Sequence, residues 1–148
     1  MNEKLASILN EAIQDEYKAR ALYRKVIEKF GEVRPFCNIV EAENRHIQAL
    51  LPLFERYGLP VPPDEWASKL EAPSTLLDAC RQGVEAEIEN MAMYTRLLEQ
   101  SEGFPEVQMV LRELQRASKE NHLPAFQRCV ERGGTPGRGG GRSGPRRK

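Results

Sequence analysis

Glu16-Tyr17-Lys18-Ala19-Arg20-Ala21-Leu22-Tyr23 is echoed later in the chain by Glu87-Ile88-Glu89-Asn90-Met91-Ala92-Met93-Tyr94. Each octet places an acid seven residues before a tyrosine. A shift of 71 residues carries Glu16 onto Glu87, Ala21 onto Ala92, Tyr23 onto Tyr94 and Val26-Ile27 onto Leu97-Leu98. The pattern reads as a degenerate internal duplication. Its second members align through His46 and His122, and Ala49-Leu50 matches Ala125-Phe126 in spacing and character.

The flanking residues say what is duplicated. From Lys4 to about Phe30, apolar side chains recur at Leu5, Ile8, Leu9, Ala12, Ile13, Ala19, Leu22, Tyr23, Val26 and Ile27, the three-to-four step of a buried helical stripe. Gly31 and Pro35 end it. A second stripe runs from about Phe36 to Tyr57 through Ile39, Val40, Ile47, Leu50, Leu51 and Phe54, with Pro52 a point of kinking. Gly58, Pro60, Pro62 and Pro63 force a nonhelical crossover, after which Asp64-Glu65-Trp66 can open a short helix. A third helix is expected from near Ser74, whose hydroxyl would cap it, to about Glu99. Gly103 breaks the chain, Pro105 suits a first helical turn, and Val107, Val110, Leu111, Leu114, Ala117, Leu123, Phe126 and Val130 continue a fourth pattern. Pro124 should bend that helix or mark a local irregularity. Four segments of roughly 22 to 28 residues, each about 33 to 42 Å long, joined short, long, short, predict an all-α antiparallel four-helix bundle of two helical hairpins joined by a crossover. Two stacked helical repeats are the alternative, and two alone would bury little face.

A chain of 148 residues with 40% hydrophobic and 30% charged side chains fits one globular domain, expected over residues 1–132. The formal charge of zero hides a division. Residues 1–132 carry 17 basic and 22 acidic side chains, whereas residues 133–148 carry 5 basic and none acidic. That Gly/Arg-rich tail offers nothing apolar to pack and is expected to be disordered. It is a solvated tail, a weak contact for a polyanion such as nucleic acid or anionic lipid, or a tether; it lacks the aromatic groups of a specific single-strand binder. No apolar stretch approaches 18 residues, and Met1-Asn2-Glu3-Lys4 does not lead into a signal-like segment, so no membrane span and no classical secretion are expected. Cys37, Cys80 and Cys129 form no CxxC pair, which argues against a rubredoxin-type iron site and an obvious disulfide framework. They read as buried or surface thiols, and a cytoplasmic, reducing setting fits them. There is no Gly-rich phosphate cradle, no HExxH and no serine triad, and Met91, Met93 and Met109 read as packing residues.

The chemistry concentrates in the acids. In Glu43-Asn44-Arg45-His46, a glutamate and a histidine three positions apart share one helical face and can converge on a metal. If the first hairpin turns between about Glu28 and Arg34, Glu16 lies about 18 Å from the turn and Glu43 and His46 about 14 and 18 Å from it. In the second hairpin, Glu87 lies about 20 Å from Gln100 and position 119 about 21 Å from Pro105. All then meet near midheight. Glutamates on such a stripe are costly unless metals, protons or basic partners compensate them.

The chain resembles the ferritin-like superfamily in its rubrerythrin-related reach. More narrowly, it resembles an uncharacterised ferritin-like domain family, DUF2202, over about residues 4–132. The residues that carry this are Glu16-Tyr17-x-Ala19-x-x-Leu22-Tyr23, Phe36-x-Asn38-Ile39-x-x-Ala42-Glu43-x-x-His46, Glu87-Ile88, and Ala117-Ser118 through His122-Leu123-x-Ala125-Phe126. The resemblance implies a metal-carboxylate site in the bundle, of one or two iron or manganese ions, handling electrons and dioxygen or peroxide. Its implied metal ligands are Glu16, Glu43, His46, Glu87 and His122, with Tyr23 and Tyr94 as neighbouring hydrogen-bond donors or packing residues. Peroxidase activity would need an external electron donor, ferroxidase-like activity is the alternative, and homo-oligomerisation through helical faces is compatible with either.

The chain departs from a symmetric pattern at Lys119, where a fourth glutamate would stand three residues before His122. Lys119 would turn to solvent while Glu120 or Glu89 contributes, yet Glu120 starts about 200 degrees around an ideal helix from His122. Three readings follow. The site holds two metals; or it holds one, on Glu16, Glu43 and His46 with Glu87 or His122 completing it; or it holds none, with Lys119, Arg45 or Arg20 neutralising the glutamates. The last accompanies a rival function, a metal-free helical interaction protein that uses its bundle surface and basic tail.

Overall fold

A computed structural model describes residues 2–135. Helix α1 spans Asn2–Phe30, α2 Phe36–Arg56, α3 Leu76–Gln100, α4 Pro105–Ala117 and α5 Leu123–Glu131. A π-helical turn at Ser118–His122 joins α4 to α5, so these three pieces form the fourth member of an all-α four-helix bundle. The helices pair as two hairpins, α1 with α2 and α3 with α4 and α5, while α1 also packs on α3 and α2 on α4. The expectation for residues 133–148 falls outside the described residues from position 136 onward.

Local sequence explains the boundaries. Gly31 and Gly103 take positive φ values of 92° and 97° in the two hairpin turns, a conformation that costs glycine little. Pro105 occupies the first turn of α4, where its missing N–H is no loss. The expected cap at Ser74 is corrected by one residue: Thr75 is the cap of α3, its Oγ1 accepting the Asp78 N–H at 3.1 Å. Extended φ and ψ at Thr75 aim the hydroxyl at that amide. Helix α2 runs through Pro52 without a break. The irregularity expected at Pro124 lies just before it, because Pro124 sits in the first turn of α5 and the widened turn precedes it.

The crossover is held against α1. Trp66 Nε1 donates to Gln14 Oε1 at 2.8 Å, the Tyr17 hydroxyl donates to the Pro62 carbonyl at 2.9 Å, and Arg20 pairs with Asp64 at 3.0 Å. A single 3₁₀ turn, Ala67–Lys69, is the only helix it contains.

Two apolar clusters fill the bundle. One gathers Leu5, Ile8, Leu9, Leu50, Phe54, Leu97 and Leu111; the other gathers Tyr23, Val26, Phe36, Ile39, Cys80, Phe126 and Cys129. Burying each large aliphatic side chain contributes about 1.5 to 3 kcal/mol. Glu16, Glu43, His46, Glu87, Asn90, Ser118 and His122 are also buried yet belong to neither cluster. The core is thus apolar except for this polar set and Ser101 at the end of α3.

The cysteines are a correction. Cys80 of α3 and Cys129 of α5 are disulfide-bonded, with Cα atoms 5.9 Å apart, and Cys37 alone is a free thiol. The adjacent helix faces bring together residues that sequence spacing does not relate, and the argument from unpaired thiols to a reducing compartment falls with it. No helix among the described residues is long and apolar enough to cross a membrane.

Candidate metal centre

Each of the five expected ligands arrives on a different register of the bundle. Glu16 comes from α1, Glu43 and His46 from successive turns of α2, Glu87 from α3, and His122 from the end of the π turn. All five are buried. They form two overlapping groups, Glu16–Glu43–His46 and Glu43–Glu87–His122, in each of which one donor atom per residue lies within 4.8 Å of the others. Glu43 belongs to both.

The distances show how the groups face each other. His46 Nδ1 is 3.3 Å from both Glu16 Oε1 and Glu43 Oε1. His122 Nδ1 is 3.4 Å from Glu87 Oε1 and 3.6 Å from Glu43 Oε2. The two imidazoles stack, with centroids 5.2 Å apart and planes 18° from parallel. The duplicated tyrosines cross between the halves. Tyr94 of α3 donates to Glu16 of α1, and Tyr23 of α1 donates to Glu87 Oε2 of α3 at 2.8 Å.

Two of the buried carboxyls shift in opposite directions. Burial pushes the Glu43 carboxyl well above the usual carboxylate range, and the negative charges of Glu16 and Glu87 push it further. Glu16 moves the other way. Burial raises it, but hydrogen bonds from Glu43, His46 and Tyr94 outweigh that and hold it low. Glu43 is thus the member of the pair whose protonated form burial and the neighbouring charges favour. Burial first, and then the adjoining glutamates, also raise the Tyr23 and Tyr94 hydroxyls well above their ordinary value, so both remain donors.

The residues present fit a metal. Glu43 Oε1, Glu87 Oε1 and His122 Nδ1 are shielded from water and have no hydrogen-bond partner, a costly condition for polar atoms that face one another. Carboxylate oxygens with imidazole nitrogens are a donor set suited to iron and manganese as well as zinc. Among the described residues no lysine or arginine pairs with Glu16, Glu43 or Glu87. Arg20 is committed to Asp64 and Asn44, while Arg45 and Lys119 are exposed. Neutralisation by those cations is therefore not what the chain does.

Lys119 and Glu120 are both exposed: the lysine turns to solvent, and Glu120 does not turn into the site in its place. In the wider π turn Ser118, four positions before His122, takes the inward place, and it is 1% exposed. Its hydroxyl donates to Asn90 Oδ1 at 2.7 Å, and Asn90 Nδ2 donates to Asp15 Oδ2 at 2.6 Å. Sequence reasoning missed this Asp15–Asn90–Ser118 chain. A signal existed, since Asn90 follows Glu87 at the same three-residue step that separates His46 from Glu43.

The family described as "Uncharacterized protein domain (DUF2202)" matches residues 7–138. The chain belongs to this family. Its DUF2202 bundle is similar to the crystal structure of a hypothetical protein from Methanococcus jannaschii DSM 2661, with a TM-score of 0.78, 23% identity, and coverage of 91% of this chain and 83% of that one. That likeness shows the fold. No curated protein matches the DUF2202 chain.

Proposed function

We propose that this DUF2202 chain holds two iron or manganese ions through Glu16, Glu43, His46, Glu87 and His122, with Glu43 shared between them. The observation that carries the reading is the double membership of Glu43 in both buried groups. One carboxylate common to two three-residue sets gives each set two glutamates and a histidine although position 119 is a lysine. Membership of the wider ferritin-like superfamily, close to rubrerythrin, belongs to the same proposal and is supported by the bundle's topology.

When bound, such ions would supply electron transfer to dioxygen or peroxide, with an external donor returning the electrons, or would themselves be oxidised as ferroxidase cargo, with dioxygen or peroxide accepting the electrons. The chain's own residues prepare the place. Tyr94 and Tyr23 orient Glu16 and Glu87, leaving each a second oxygen directed at a histidine. The apolar clusters pack around the buried carboxylates and lower the local dielectric, which strengthens the charge interactions there. The rival reading, a metal-free interaction bundle, is weakened by the burial of Glu16 and Glu87 at 1% and 2% exposure, since a surface-acting bundle has no use for them there.

Anaerobic titration with ferrous iron and with manganese, followed by elemental analysis, tests the proposal. Two ions per chain are expected, and Glu43→Ala should leave helix content intact while reducing occupancy to one weakly held ion or none. A wild-type chain that takes up neither metal, or a Glu43→Ala chain that still binds two, overturns it. Peroxide consumption by the loaded protein then separates an oxidoreductase from a storage or sensing role.

A further inference from the structure

The bundle is open on one side. Helix α2 packs on α4 but makes few contacts with α5, and a cavity of about 680 Å³ lies between α2 and the α4–π turn–α5 member. Its lining carries four arginines: Arg34 and Arg45 from the α2 side, Arg128 and Arg132 from the α5 side. All four are exposed, and none forms an ion pair among the described residues. Arg132 Nε donates to the Thr135 carbonyl at 3.0 Å, and its terminal nitrogens make no hydrogen bond among the described residues.

No aspartate or glutamate lines this cavity. That is the reverse of the chain's average, because residues 1–132 carry 22 acids against 17 bases. Residues 133–148 contain no acid either. Between the arginines the wall combines apolar Ile39, Ala42 and Ala125 with the amides of Asn38 and Asn121, and the lining also includes His46 and His122. His122 is 3% exposed and its Nδ1 lacks a hydrogen-bond partner.

We propose that this cavity binds a small organic oxyanion, with its carboxylate or phosphate head among Arg34, Arg45, Arg128 and Arg132 and its apolar body lying along Ile39 and Ala42 toward the two histidines. Planar guanidinium groups grip such heads through paired N–H donors, and the cavity volume is in the range of about 300 to 1,000 Å³ that holds small organic ligands. An inorganic ion alone would leave the apolar wall wet. The inference goes beyond the metal proposal and does not depend on it.

The test uses the metal-free full-length chain at low ionic strength, with benzoate, phenyl phosphate, benzyl alcohol and inorganic phosphate as probes in calorimetry and amide chemical-shift titrations. Benzoate, phenyl phosphate or both should bind and shift amides at residues 34–46 and 121–132; the tighter of the two identifies the head group. Benzyl alcohol should not bind, and inorganic phosphate should bind at least tenfold more weakly than the better organic anion. The double variant Arg45→Gln with Arg128→Gln should weaken organic-anion binding at least tenfold, whereas Arg96→Gln, which breaks a pair with Glu11 elsewhere, should not. Equal binding of benzyl alcohol, equal binding of inorganic phosphate, or an unaffected double variant overturns the inference. Anion binding by a chain that takes up no iron or manganese sinks the metal proposal alone; two-metal uptake without anion binding sinks this one alone.

Discussion

Asp15 stands beside Glu16 on α1, and its carboxylate accepts a hydrogen bond from Asn90. Burial pushes its pKa from 3.8 up to about 6; the Asn90 bond pulls it down, and the charges of Glu16 and Glu87 add to the rise. Between those two values the folded metal-free chain keeps a proton that the unfolded chain has released. Stability contributed by this group therefore falls as pH rises through about 4 to 6 and stays low above it. Glu43, raised for related reasons, acts in the same direction. Denaturant unfolding of the metal-free protein should show a higher midpoint at pH 5 than at pH 7. Asp15→Asn should shrink that difference and stabilise the protein at pH 7 by on the order of 1 to 3 kcal/mol. A pH dependence untouched by this substitution would show that Asp15 ionises freely in the fold.

At the scale of the element, the π turn decides which side chains see the interior. A regular helix would put position 119 on the His122 face, and the missing glutamate there would leave the second hairpin short of a ligand. The wider turn puts Ser118 inward and Lys119 outward instead. Ser118→Ala removes the donor to Asn90 Oδ1 and strands a buried acceptor, so a loss of about 1 to 3 kcal/mol is expected in unfolding measurements. Lys119→Ala should change stability by less than about 0.5 kcal/mol, and Lys119→Glu should leave metal stoichiometry as it was. A large effect at Lys119 with none at Ser118 would mean that the turn is an ordinary helix. The sequence made the four helices and the paired octets legible because they rest on periodicity, which a linear chain displays directly. The π turn has no comparable signature beyond Pro124, and the Asp15–Asn90–Ser118 chain joins three elements far apart in the chain. Glu43 was readable as half of an ExxH pair; its shared position was not, because that depends on where Glu16 and Glu87 arrive from other helices.

Across the whole molecule, the side that is open between α2 and α5 must be held from behind. Helix α5 spans only nine residues, follows an irregular turn and draws its packing mainly from α3. There the two helices come unusually close: a Cβ added at Gly83 would lie 2.6 Å from the Phe126 ring, so only glycine permits this approach. The Cys80–Cys129 bond fastens the same pair of helices across 49 residues of chain. Linking two points that far apart removes conformational freedom from the unfolded chain, and the usual gain is about 2 to 4 kcal/mol. The double variant Cys80→Ala with Cys129→Ala should lose about that much stability, with the loss expressed first as faster amide exchange in α5, before α1 or α2 is affected. Thiol counting under denaturing conditions checks the premise: one reactive thiol, that of Cys37, is expected before reduction and three after it. Three thiols without reductant would show that α5 is held by packing against Gly83 and Tyr23 alone, and the exchange difference between the variant and the parent chain should then vanish.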